Sequence, residues 1–377
     1  MICAERQPSV PLTRTVSSSI RLITLQRLPV TEYFITALPM EGMSTAAMLA
    51  EVARIVRDCD AQIVSQDVFA SVERADAIGK ELEHALGQAR WPVTWIDSGD
   101  GQAFAGTHIW AVSGTDVRPL TSDGCVTGTF FEDRYATYCR LGGLGRVPRS
   151  MPCPRQAGDV LRQMEETLSV GHMHFTHTLR TWFYLDDILS WYGDFNRVRD
   201  AFFREQNVFK GLVPASTGIG AANVSRAALV AGLLAAKPKD GCVKVGPVPS
   251  PLQCPAIDYG SSFSRAVEVD LPDHRRLYIS GTASIAPEGH TIHVGDVEAQ
   301  TAKTMEVVAA ILASRGMQWA DVVRGIAYVR SAADIPVYTQ TCAAQGLPLM
   351  PVVTTNSTIC RDDLLFELEV DALRPMP

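Results

Sequence analysis

Hydrophobic and polar positions along this chain fall into strand-like and helix-like stretches that recur in one order. The last of them, Leu364 to Val370, alternates strictly after Leu365: Phe366, Leu368 and Val370 share one face of a pleated strand, and Glu367 and Glu369 share the other. An apolar face of this kind packs on helices, which leaves the two carboxylates facing solvent, a partner sheet or a pocket. The preceding segment, Gln300 to Gly316, carries apolar residues at 305, 308, 309 and 312, one stripe at helical spacing, and ends on a glycine where a C-terminal cap belongs.

The unit is repeated. Gln156 to Leu168 lies over Gln300 to Leu312 at an offset of 144 (312 − 168), and the offset continues without a gap so that Arg180 pairs with Arg324 and Tyr184 with Tyr328. Both copies read as helix, turn, strand, second helix and a closing strand pair after Pro214 and Pro351, with the strands 134–141 and 276–280 in front. A weaker copy upstream has strands at 33–38, 62–69, 91–97 and 108–112 and helices at 45–57 and 75–86. The predicted order within each copy is β, α, β, α, β, β, an α+β fold in tandem units. Turn formers place boundaries near 113–124 and in the Pro/Gly-rich 237–255. The expected organisation is an extension over 1–29, units at 30–120, 125–236 and 256–377, and a linker over 237–255.

Composition narrows the function classes. A chain of 377 residues exceeds one ordinary core, and 46% hydrophobic with 20% charged residues is globular. A net charge of −7 without a basic run speaks against a nucleic-acid groove or an anionic membrane surface, and no apolar run reaches a membrane span. Met1 to Pro8 lacks the apolar core of a signal peptide. Nine cysteines without a CxxC spacing read as reduced thiols in the cytoplasm. His172, His174 and His177 suggest a metal cluster, but the repeat offset puts them over a helix-to-strand turn that has no histidine, so no metal is expected. Gly142–Gly145 and Gly218–Gly220 open no helix of a βαβ unit, which speaks against nucleotide binding. Trp182, Trp191 and Tyr192 have core-like spacing.

A strand, a glycine, a helix beginning near Gln-Thr, a strand ending near Tyr-Val and a closing strand with Glu-x-Glu together resemble the Rid/YjgF superfamily. That resemblance implies a chorismate-mutase-like fold whose units assemble in threes with sites between neighbours. Three units in one chain imply an intramolecular version of that trimer, either alone or in a homo-oligomer. The arginine that imine deaminases of the family place after the proline of the penultimate strand is absent from Pro214–Thr217 and Pro351–Thr354. A closer likeness is to the chorismatases, carried by Asp258–Ala266, by Ser280–Ile285 with Gly289–Asp296, by Tyr328–Arg330 and by Ile359–Glu367. Between Ile285 and Gly289 this chain reads Ala-Pro-Glu, where chorismatases have a small residue and then histidine.

The resemblance implies removal of pyruvate from chorismate, a small carboxylate substrate, without a cofactor. Cleaving an enol ether needs a proton delivered to its methylene carbon, and a carboxylic acid with a raised pKa suits that step. Glu367 is the expected acid, because the matching place in the middle copy is Val230 and the fold therefore does not require a carboxylate there. Glu369 is the alternative. For the substrate carboxylates the expected partners are Arg265 and Tyr259, then Arg330 and Arg361, with His290 as a further hydrogen-bonding candidate. Arg180 and Arg324, matched in the repeat, read as structural. The resemblance implies that Cys360 lines the pocket and goes with hydroxybenzoate formation; a buried small hydrophobe is the alternative. Two rival functions are a Rid-type hydrolase of an enamine or imine metabolite and a non-catalytic metabolite-binding protein.

Overall fold

In the computed structural model, which describes residues 10–99, 102–122, 124–145 and 150–376, the chain builds the same α+β unit three times. The first unit runs β1 (Leu12–Val16), β2 (Ile20–Gln26), β3 (Thr31–Ala37), α1 (Thr45–Asp58), β4 (Gln62–Ala70), α2 (Ala75–Leu86), β5 (Val93–Ile96) and β6 (Phe104–Ser113). The second repeats this as β7 (Arg118–Ser122), β8 (Cys125–Glu132), β9 (Ala136–Leu144), α3 (Cys153–Val170), β10 (Thr178–Leu185), α4 (Ile188–Glu205), β11 (Ala215–Gly220) and β12 (Leu229–Pro238). The third is β13 (Lys244–Val248), β14 (Ala266–Asp270), β15 (His274–Ala283), α5 (Val297–Ser314), β16 (Val322–Val329), α6 (Ile335–Ala344), β17 (Val352–Asn356) and β18 (Phe366–Pro375). Each unit folds its six strands into one sheet, in the order β1-β2-β3-β6-β4-β5 and its two equivalents.

The sequence pattern predicts four strands per unit and misses the leading hairpin of each. β1 and β2 lie in the stretch read as an extension, β7 in the first boundary, and β13 in the stretch read as a linker. The reason is physical. β1 and β7 are mostly exposed edge strands, and β7 and β13 contain Pro119 and Pro247. Edge strands that are protected from further pairing by proline and polar residues carry little alternation to read. The reading of Met1 to Pro8 lies outside the described residues.

The helices form where the signals stand. Asp296 caps α5 by accepting from the Ala299 N–H at 2.9 Å, and Gly316 leaves the helix with φ 68°. The buried face of α5 includes Met305, Val308 and Leu312 but not Ala309. Each sheet packs one face on its own helix pair, and the opposite faces of all three meet in a shared core containing Phe69, Tyr138, Trp182 and Tyr328. No helix among the described residues is long and apolar enough to cross a membrane.

Candidate active site

Strand register fixes which residues face inward. A one-residue bulge before Ser65, Arg180 and Arg324 puts these three at equivalent places, and four positions further in, Gly106, Val230 and Glu367 stand opposite Phe69, Tyr184 and Tyr328. The three equivalent inward positions therefore carry glycine, valine and glutamate. Glu367 alone brings an acid, into the cleft where β11 of the second unit meets β15 of the third.

That cleft is tied by hydrogen bonds from the Ser216 N–H to Ser280 Oγ (2.8 Å) and from the Gly281 N–H to Thr217 Oγ1 (3.1 Å). A Cβ at Gly281 would meet Glu367 Oε1, so a larger residue there would displace the carboxyl group. Tyr192 and Arg199 of α4, the segment Tyr259–Arg265, Cys360 and Arg361 complete a cavity around the carboxyl group. It offers about 60 Å³ of room for the centres of water-sized spheres.

The electrostatics follow from burial. Glu367 is 5% exposed and has no hydrogen-bond partner among the described residues. Desolvation, helped by the charge of nearby Glu369, pushes its pKa up to about 8. Glu369 shows the opposite outcome on the same strand face. Burial alone would raise its pKa, but Arg180 and Arg324 hold it at about 2. Its oxygens lie 3.0 Å from Arg180 Nη2 and 2.7 Å from Arg324 Nη1, and Trp182 Nε1 donates to it at 3.0 Å. Burial and the neighbouring Glu367 push the Cys360 thiol up to about 12, so it stays protonated and is no nucleophile at neutral pH.

Two arginines offer unused donors. Arg265 is 5% exposed; its Nε donates to the Cys254 carbonyl at 2.9 Å, and its guanidinium lies 5.3 Å from the Tyr259 ring and 5.6 Å from Phe263. Its Nη2 is buried without a partner. Arg199 is 1% exposed, donates from Nη2 to Asn196 Oδ1 at 2.9 Å, and leaves Nε buried and unpartnered. Arg361 stands 5.3 Å from the Tyr259 ring and donates to the Gly289 carbonyl at 2.9 Å. Unsatisfied buried donors of this kind cost stability unless a ligand meets them.

Of the residues expected from sequence, Glu367, Arg265, Tyr259, Cys360 and Arg361 come together in this cleft. Three expected residues do not. Arg330 turns away and donates to the carbonyls of Arg361 (3.0 Å) and Asp362 (2.9 Å), so it steadies their loop. His290 is exposed, and its carbonyl closes a turn with the Ala286 N–H. Glu369 is locked between two guanidinia and is no alternative acid. Tyr192, read as packing, lines the cleft, and Arg199 is absent from the sequence reading altogether. Its signal is present all the same. α4 buries Ile188, Trp191, Phe195, Arg199 and Phe202 on one stripe, and an arginine inside an apolar stripe calls for a partner.

The difference between Glu369 and Arg330 is measurable as stability. Glu369→Gln removes the carboxylate shared by two buried guanidinia, leaving Arg324 with Asp67 and both with the more distant Asp371, and is expected to cost about 3 kcal/mol. Arg330→Ala, at a part-exposed side chain, is expected to cost about 1 kcal/mol or less. Denaturant unfolding midpoints of the two variants check both values.

Fold and cleft together define a three-unit α+β protein with one carboxyl–guanidinium site between its second and third units. Residues 256–373 match the family model described as Endoribonuclease L-PSP. A chorismatase from Streptomyces hygroscopicus is 31% identical over 214 residues, covering 50% of this chain and 60% of that protein. A chorismatase from Streptomyces rapamycinicus is 30% identical over 222 residues, and a 3-hydroxybenzoate synthase from Streptomyces hygroscopicus 29% over 225. The matched stretches thus span about three-fifths of these curated relatives. A crystal structure of chorismatase superposes with a TM-score of 0.65 at 21% identity, over 92% of this chain and 100% of that one. The sequence of this chain is similar to chorismatases over about half its length, and the chain shares the fold of the chorismatase structure.

Proposed function

We propose that this protein is an enzyme that removes pyruvate from chorismate, with Glu367 as the acid. The observation that carries the reading is a buried carboxyl group, its pKa raised to about 8, lining one cavity with two guanidinia that have unused donors. Chorismate has two carboxylates and an enol ether, and the cleft offers partners for each. Arg265 and Arg199 would hold carboxylates by charge-assisted hydrogen bonds, with Tyr259 and Arg361 closing over them. The Glu367 carboxyl gives its proton to the terminal methylene carbon of the enol ether, whose π electrons form the new C–H bond. The resulting oxocarbenium ion is stabilised by the carboxylate left on Glu367. Water adds to the cationic carbon and loses a proton, which restores the acid, and the hemiketal collapses to pyruvate and a ring alcohol. The product is a dihydroxycyclohexadiene carboxylate, or a hydroxybenzoate where the ring then loses water and aromatises; the likeness to chorismatases associates a cysteine at the place of Cys360 with the second.

The test is to mix purified protein with chorismate and follow pyruvate. Release that Glu367→Gln abolishes supports the reading. Ammonia from amino-acid-derived imines, without pyruvate from chorismate, would instead assign a Rid-type hydrolase. The absence of the imine-deaminase arginine from β11 and β17 weighs against that outcome.

A further inference from the structure

The two walls of the Glu367 cleft belong to different units, and each carries one guanidinium with an unused donor. Arg199 stands on α4 of the second unit. Arg265 ends a strap, residues 256–265, that leads into β14 of the third. The separation of the two arginines is therefore set by whatever ties the strap to α4.

The strap is fixed at both ends. Just before it, Gln253 Nε2 donates to the carbonyls of Ala283 and Ile285, each at 3.0 Å. Near its end, Ser264 joins the edge of β11. Its N–H donates to the Pro214 carbonyl at 3.0 Å and its hydroxyl to the Val213 carbonyl at 2.6 Å, while its own carbonyl accepts from Ser280 Oγ at 2.6 Å. In between, the backbone of 256–263 bonds within its own turns, and Gly260 takes φ 84° with open space where a side chain would stand. Among the described residues, one hydrogen bond runs from this middle section to the second unit. Ser262, itself buried, donates its hydroxyl to Asp200 Oδ1 on α4.

The placement of that bond joins the two anion-holding walls. Asp200 directly follows Arg199, and Ser262 lies midway between Tyr259 and Arg265. Arg199 turns its Nη2 to Asn196, which leaves Asp200 to Ser262. A hydroxyl-to-carboxylate bond is charge-assisted, roughly twice as strong as a neutral one, and gains further where water is excluded. We propose that Asp200 and Ser262 form a clasp that fixes the spacing of Arg199 and Arg265, so that the cleft is preset for a substrate with two carboxylates. Neither residue lines the cleft, so both are positioning residues, acting through the arginines beside them. The proposal rests on the reading of this cleft as a chorismate site and gives the clasp no part in the proton transfer.

Initial-rate kinetics of pyruvate release test it. Ser262→Ala and Asp200→Ala are each expected to raise KM for chorismate about tenfold with kcat within about threefold of wild type, the loss of one charge-assisted bond felt in binding and not in chemistry. The double variant is expected to match either single, since the same bond is lost in all three. Asp200→Asn keeps an acceptor for the hydroxyl and should hold KM within about threefold of wild type. The fall of kcat/KM through about pH 8 should be unmoved in every variant. Thermal melts control for folding; should Ser262→Ala not fold, Asp200→Ala against Asp200→Asn decides, since Asp200 is half-buried on a helix. Unchanged KM in the alanine variants, effects that multiply to about a hundredfold in the double variant, or a loss confined to kcat would each overturn the clasp. A wild type that releases no pyruvate from chorismate overturns the reading of the cleft and the clasp with it, whereas an active wild type with unchanged KM in the variants overturns the clasp alone.

Discussion

Glu367→Gln is expected to lower pyruvate release from chorismate by about 10³-fold or more, with chorismate binding retained. Glutamine keeps the shape of the side chain and the room around Gly281 but has no proton to give, and general acids contribute typically about 10²–10⁴-fold. Among the described residues lining this cleft, Glu367 is the one carboxylic acid. Cys360 holds its proton to about 12, and Glu369 has lost its own by about 2. The pH profile of the wild-type enzyme carries the same signature. A general acid works only while protonated, so kcat/KM should hold through neutrality and fall as pH rises through about 8. Stopped-assay rates for the variant and a wild-type pH–rate series check both. A variant within tenfold of wild type would remove Glu367 from the chemistry.

Arg199→Met is expected to reduce kcat/KM for chorismate by about 10²-fold, mainly through a raised KM. The buried Nε of Arg199 has no protein partner, and a charge-assisted hydrogen bond to a carboxylate is worth about 1.5–3 kcal/mol. Methionine fills the same volume in the stripe of α4 without burying an unpaired charge, so the fold should be kept or slightly strengthened. Arg265→Lys should lose activity comparably, because a single ammonium cannot both reach the Cys254 carbonyl and stack over Tyr259 while offering a free donor. Initial-rate kinetics with thermal melts as a folding control separate loss of binding from loss of structure. Unchanged KM in Arg199→Met would leave that arginine a structural role only.

Much of this was legible in the sequence because repetition makes a weak signal readable. The 144-residue offset aligned Arg180 with Arg324 and Tyr184 with Tyr328, and both pairs occupy equivalent register positions. Alternation in the last strand correctly separated Glu367 and Glu369 from the helix-facing Phe366, Leu368 and Val370. Alternation alone, however, could not tell the two glutamates apart. Their pKa values differ because Arg180 of the second unit and Arg324 of the third reach Glu369 and not Glu367, and contacts between strands and between units leave no mark on local pattern. Arg330 was misplaced for a related reason. It follows β16, which pairs with the strand that carries Glu367, yet the backbone carbonyls of 361 and 362 capture its guanidinium. The edge strand of each leading hairpin stayed hidden because an exposed edge has little buried face to impose a period. Arg199 was visible as a charge within an apolar stripe, a pattern that marks a buried cation.

The central claim is that Glu367 keeps its proton through neutral pH inside the cleft. Infrared difference spectra of wild type minus Glu367→Gln, recorded as pH is varied, read the carboxylic C=O stretch of that one group. The expected result is a protonated band that persists at pH 7 and titrates near pH 8. A band already lost by pH 5, with the carboxylate form in its place, would contradict the claim.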